Sequence, residues 1–196
     1  VISTVVTELS SPHSVSVGPD GELFIVEVGS HQVTKIDRNG LRTTVTSVSN
    51  VAPIHDFRLP ENALLAFVSS VSVLSDDTLI VADTYNHMIK KVELDTKSIV
   101  SLSNLNTLSY PRGTFVLNDE IYFADYGNHC VRKIDSNGVM SDIVGVCGSG
   151  GYDGDDSPAN GTLLFYPSGV AVDPSNGNMF IEDSGIVVGR ERLCSS

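Results

Sequence analysis

Tyr110-Pro111-Arg112-Gly113-Thr114-Phe115-Val116-Leu117-Asn118-Asp119-Glu120-Ile121-Tyr122-Phe123-Ala124-Asp125-Tyr126-Gly127-Asn128-His129-Cys130-Val131-Arg132-Lys133-Ile134-Asp135 is the stretch that decides the fold. It reads as a loop ending in proline, a first strand, a tight turn, and a second strand closed by an acid. A small loop with a histidine and a third strand follow. The same order recurs through the chain, with the closing acid at Glu27, Asp83, Asp125 and Asp183, at intervals of 56, 42 and 58 residues. The short interval is the size of one four-stranded repeat unit. The two long intervals carry an insert at the same place, residues 56–65 and 155–164. A fixed period of this size means a repeat architecture, and it dictates the shape of a surface better than it dictates a ligand.

Within each copy the period is two, which means strand. Val15 and Val17 alternate with serines, as do Val71 and Val73. The second strands, 23–26, 79–82, 121–124 and 179–181, are continuously apolar, as strands buried on both faces require. The third strands, 33–36, 89–92 and 131–134, interleave lysine or arginine with apolar residues. That suits strands near a sheet edge, with Lys90-Lys91 and Arg132-Lys133 solvated there. A fourth, outer strand is expected at 42–46, 99–102 and 140–144. Asp20-Gly21, Asn39-Gly40, Asn137-Gly138 and Asn176-Gly177 supply the turns. Four short antiparallel strands per unit, repeated, predict an all-β β-propeller.

Residues 83–92 and 125–134 resemble the NHL repeat, as does Tyr166-Pro167-Ser168-Gly169-Val170-Ala171-Val172-Asp173 upstream of Asn178-Met179-Phe180-Ile181. The loop 148–164 resembles the connection between NHL blades. The resemblance covers essentially the whole chain. It implies a single NHL-type domain over 1–196, with about four blades of four antiparallel strands and blade cores near 12–46, 68–102, 111–145 and 167–193. Two departures stand out: Val68 replaces the expected proline, and the pattern fades after Asp183. Residues 1–6 look like the outer strand of a preceding blade. The expectation is therefore an incomplete ring, part of a propeller that in this family typically has six blades. Its open ends would expose Val15, Val17, Leu23 and Ile25 on one side and Val170, Val172, Phe180 and Ile181 on the other, and the arc would self-associate. The rival is a four-bladed ring closed by residues 1–6.

Composition narrows the partners. Net charge is −12, with 24 acids against 12 Lys plus Arg. Nucleic-acid binding rests on neutralising phosphates, and no basic face is legible, so nucleic acid is a poor partner. The acidity suits a basic partner or serves solubility. No apolar run reaches membrane-spanning length, and no signal peptide is present. The compartment is not legible. Cys130 and Cys147 fall in one blade and the sequence leaves open whether they pair, while Cys194 lies in the ragged tail. Asn160-Gly161-Thr162 is a glycosylation sequon.

In an antiparallel blade, the loop before the first strand and the loop after the second lie at one end. His13, Ser69, Arg112 and Ser168 therefore share a face with the four acids and with His31, His87 and His129. The binding face is expected to use His13, His31, His87, Arg112, Tyr126 and His129. The acid and histidine that recur in each blade serve the blade: the acid accepts amides of the following turn, near Asn86 and Asn128, and the histidine packs on the neighbouring strand. His13 occurs once. With His31 it resembles part of peptidyl-amidoglycolate lyase, whose zinc is held by channel histidines. Catalytic zinc needs about three protein ligands, and Ser69, Arg112 and Ser168 at the matching positions are not nitrogen donors for zinc. No catalytic residue, metal site or cofactor is therefore assigned. Asp153, Asp155 and Asp156 lack the spacing of a calcium-binding EF-hand loop. The resemblance implies a scaffold that binds protein or peptide. The alternative is a propeller enzyme of the amidating-lyase, strictosidine-synthase-like or lactonase-like class.

Overall fold

The computed structural model describes residues 4–30, 32–47, 65–104, 107–154, 159, 161–185 and 191–194. The strands are β1 (Pro12–Val17), β2 (Leu23–Glu27), β3 (Gln32–Ile36) and β4 (Arg42–Ser47). Next come β5 (Val68–Ser75), β6 (Thr78–Asp83), β7 (Met88–Glu93) and β8 (Ile99–Ser101). The second half holds β9 (Pro111–Leu117), β10 (Glu120–Asp125), β11 (Cys130–Ile134), β12 (Met140–Val144), β13 (Pro167–Val172), β14 (Met179–Asp183) and β15 (Glu191–Cys194). They form three four-stranded sheets and one three-stranded sheet, each antiparallel with neighbours in chain order. Single 3-10 turns follow the closing acids at Val28–Ser30, Thr84–Asn86 and Tyr126–Asn128. Among the described residues, no helix is long and apolar enough to cross a membrane.

The chain divides into two compact units, residues 1–101 and 102–196, each holding two sheets. In the first unit β1 lies against β5. Ser14 and Ser16 accept the Val71 and Val73 amides at 3.4 and 3.2 Å, so the serines of the alternating pattern join the two inner strands. Phe24, Val26, Val33, Val68, Val71, Leu79 and Val81 fill the core between these sheets. In the second unit β9 lies against β13. The two strands approach so closely that a Cβ on Gly113 would fall 2.5 Å from the Ser168 carbonyl. Val131, Val144, Leu164, Val170 and Ile181 form the core there.

Several expectations need correction. Val68 is not a degraded start. It pairs with Asp83 in the register in which Pro12, Pro111 and Pro167 pair with Glu27, Asp125 and Asp183. The fourth copy does have a third strand, since β15 pairs with β14 from Met179↔Cys194 to Glu182↔Glu191. Residues 4–6 take up no strand, so the outer strand expected over 1–6 is not formed by its described part. The third strands are interior, with β4, β8 and β12 outside them. Of the faces expected to lie bare, Val15 and Val17 are 60% and 62% exposed, but Ile25 is buried. In the fourth sheet Val170, Val172 and Ile181 are buried and only Phe180, at 38%, is exposed. The strand period puts Val170 and Val172 on the face turned toward the third sheet, opposite to the face assumed from sequence.

Candidate functional site

The backbone amide that each closing acid accepts lies in the loop before its blade, not in the turn after it. Glu27 accepts the Ser10 amide, Asp83 the Ala66 amide, Asp125 the Ser109 amide and Asp183 the Phe165 amide, all at 2.7–2.8 Å. The carbonyls of the same four residues accept the amides of Gly29, Tyr85, Gly127 and Gly185. The residue after each clamped one is left-handed: Ser11, Phe67, Tyr110 and Tyr166 have φ of 49°, 50°, 50° and 59°. Such a conformation costs about 1–2 kcal/mol for a residue with a side chain, and the paired hydrogen bonds offset it. The expected bond to the following loop is made by side chains instead, from Asn86 to Asp83 at 2.9 Å and from Asn128 to Asp125 at 2.8 Å.

The third-strand cations are counter-ions rather than solvated edge charges. Lys90, 2% exposed, sits 2.6 Å from Asp83, and Arg132 sits 3.0 Å from Asp125. In the first copy Thr34 occupies that position and donates to Glu27, while Arg42 on β4 supplies the charge at 2.6 Å. Burial pushes the Asp83 and Asp125 carboxyls above the usual range, against the pull of Lys90 and Arg132 and of their hydrogen-bond donors. Burial also pushes Glu27 up, but donors from Ser10, Thr34, Gln32 and Arg42 outweigh it and hold that carboxyl low.

This frame carries aromatic and basic side chains at one end of each unit. In the second unit the Arg112 guanidinium lies 3.7 Å from the Tyr126 ring centroid. Tyr126 contacts Tyr166 at 4.9 Å between centroids, Tyr166 meets His129 edge-on at 4.4 Å, and His129 stacks on Phe165 at 5.3 Å. His129 Nδ1 accepts the Tyr166 amide at 3.1 Å, which puts its proton on Nε2. Gly150 leaves room for the imidazole, since a Cβ there would fall 2.8 Å from the ring. Cys130, next to His129, forms a disulfide with Cys147. The Gly148 amide donates to the Asn128 carbonyl, so the loop after β12 is tied beneath the histidine.

In the first unit His13 Nδ1 donates to the Ser69 carbonyl at 2.8 Å, and its ring meets Phe67, which stacks on Tyr85 at 4.6 Å. His87 closes the Thr84–Asn86 turn in the left-handed conformation. The structure thus brings together Arg112, Tyr126 and His129, places His13 and His87 in the other unit, and adds Phe67, Tyr85, Phe165 and Tyr166. His31, Asp155, Asp156 and Asn160 lie outside the described residues. Among the described residues, the metal-donor atoms gathered within 4.8 Å of one another belong to Cys130, Asp142 and Cys147, and both sulfurs are in the disulfide. Asp153 instead accepts Thr162 and the Leu163 amide, ordering its own loop.

No protein-family model matches the chain. It is 26% identical to NHL repeat-containing protein 2 of Bos taurus over 84% of its length, and 24% identical to Teneurin-m of Drosophila melanogaster over 95%. It spans 26% and 8% of those proteins respectively. Among solved structures, an auxiliary nutrient binding protein from Bacteroides thetaiotaomicron superposes with a TM-score of 0.65 at 18% identity, over 88% of this chain and 45% of that one. A streptogramin B lyase gives 0.62 at 13% identity, over 95% of this chain and 55% of that one. A chain of a nidogen–laminin complex gives 0.66 at 13%, over 90% and 58%. Repeated clamps, in-register blades, NHL-repeat relatives and propeller neighbours agree on one architecture: the chain has an NHL-type β-propeller fold.

Proposed function

We propose that this chain binds a protein or peptide at the blade end that carries Arg112, Tyr126, Tyr166, Phe165 and His129. One observation carries this reading. The positions of Arg112 and Tyr126 are filled in the other copies by His13, Ser69 and Ser168, and by Val28, Thr84 and Ser184. The blade is built equally well without the arginine or the tyrosine, so the fold does not call for them. Arg and Tyr are the residue types that dominate binding hot spots. The nidogen–laminin complex is a case of protein association by a structure of this fold. A net charge of −12 favours a partner that is not nucleic acid. The disulfide suits work in an oxidising compartment.

The test is selection of displayed peptides on the full chain. Selected peptides are expected to lose at least tenfold in affinity on Tyr126→Ala or Tyr166→Ala. They should bind Leu41→Ser and Val139→Ser unchanged, since these exposed residues follow turns at the opposite blade end. Peptides that respond only to Leu41 or Val139 would refute this reading. The lyase neighbour supports the competing enzymatic reading. Stoichiometric zinc in the purified chain would reverse the order of the two.

A further inference from the structure

We infer that Arg112 is a receptor for a carboxylate of the bound peptide; this rests on the binding reading above and specifies the chemistry at its centre. The other cations with described side chains in the strands each meet a carboxylate. Lys35 pairs with Glu22, Arg42 with Glu27, Lys90 with Asp83, Lys91 with Glu93, Arg132 with Asp125, and Lys133 with Glu120, at 2.5–3.5 Å. Arg112 pairs with none among the described residues. Its Nε is buried and meets no acceptor among the described residues, and its guanidinium lies over the ring of Tyr126. The chain has twice as many acids as cations, so scarcity of carboxylates does not explain this.

The geometry favours a planar monoanion. The Tyr126 ring centroid lies 3.7 Å from the guanidinium carbon, so the ring restrains the fork before any ligand arrives. A fixed fork matches the two oxygens of a carboxylate with two parallel N–H bonds. A single arginine in a chain of net charge −12 is a poor match for a dianion or a polyanion, whose extra charge is repelled. Tyr126 and Tyr166 form an adjoining wall for the apolar part of the ligand. Ser168 occupies the position of Arg112 in the next blade; its backbone is brought close to Gly113 and its hydroxyl donates to the Glu182 carbonyl, so it places no competing charge beside the arginine. The carboxylate comes either from a peptide C-terminus or from an Asp or Glu side chain.

The Nε–Hε resonance of Arg112, assigned by its loss in Arg112→Gln, reads this directly. The probes are N-acetyl-Gly-Phe with a free C-terminus, the same peptide as its amide, N-acetyl-Glu-amide and inorganic phosphate. The expected result is a saturable shift with one or both carboxylate probes, at least tenfold tighter than with the peptide amide or phosphate. That preference should disappear in Arg112→Gln and weaken in Arg112→Lys, which keeps the charge and loses the fork. Comparison of the two carboxylate probes assigns the source. Because Arg112 makes no ion pair among the described residues, both variants should keep the parent's thermal transition. Phosphate binding as tight as carboxylate overturns the inference, as does silence of Arg112 toward both carboxylates at millimolar concentration. If the amide binds equally well and perturbs Tyr126 and Tyr166 with Arg112 unmoved, the carboxylate is wrong while the binding face stands. Selected peptides that ignore Tyr126 and Tyr166 mark failure of the binding reading itself.

Discussion

Lys90→Met should lower stability by about 3–5 kcal/mol, although it replaces one buried straight side chain with another of similar length. The reason is what it leaves behind. Asp83 is fully buried, and Lys90, 2% exposed, is its counter-ion at 2.6 Å. Without the lysine the carboxylate must either stay charged in an apolar sheet or take up a proton, and each route weakens the folded state. Removing both charges, as in Asp83→Leu with Lys90→Met, should recover most of the loss. It should not recover all of it, because Asp83 also accepts the Ala66 amide at 2.7 Å. Loss of that anchor next to the left-handed Phe67 is expected to leave about 1–2 kcal/mol unrecovered. Urea denaturation of the two variants and the parent measures both terms. A single variant within 1 kcal/mol of the parent would refute the account of the third-strand cations as counter-ions.

Removing the disulfide with Cys130→Ala and Cys147→Ala should lower stability by about 3 kcal/mol, the chain-entropy value for a short closed loop. The two cysteines are 17 residues apart. The bond fixes the return from β12 toward the loop containing Gly150, and that loop packs on His129. His129 in turn accepts the Tyr166 amide, so the effect should reach the binding face. Hydrogen exchange at the Tyr166 amide is expected to speed up on reduction, while the Ala66 amide in the other unit is unchanged. Equal slowing or speeding of both would show that the bond acts on the chain generally rather than on this loop.

Much of the fold was legible because it rests on the pattern of apolar residues and turn chemistry. β12 falls at the expected residues 140–144, and the clamping acids are the four that define the repeat. What the acids hold was not legible. The amides they accept lie 16–18 residues upstream, and nothing in a linear period of two points that far back. The counter-ions had a signal that charge composition hides: Lys90 and Arg132 each stand seven residues after an acid, and the hairpin register folds that spacing into contact. At the candidate site Arg112, Tyr126 and His129 were visible because they break or decorate the repeat. Tyr166 and Phe165 were not, since they sit in the leading loop and reach His129 only through the packing of one blade on the next. Tyr166 did leave a trace, as it precedes Pro167 just as Tyr110 precedes Pro111.

The central claim is that the repeated residues build the blades and the unrepeated ones at one blade end bind. A hydrogen-exchange footprint of a selected peptide on the full chain tests it most directly. Protection is expected at residues 108–113, 126–129 and 165–168, which surround Arg112, Tyr126 and Tyr166, with none at the turns 37–41 and 135–139. Protection confined to those turns, with the Arg112–Tyr126–Tyr166 cluster exchanging as in the free chain, would contradict it.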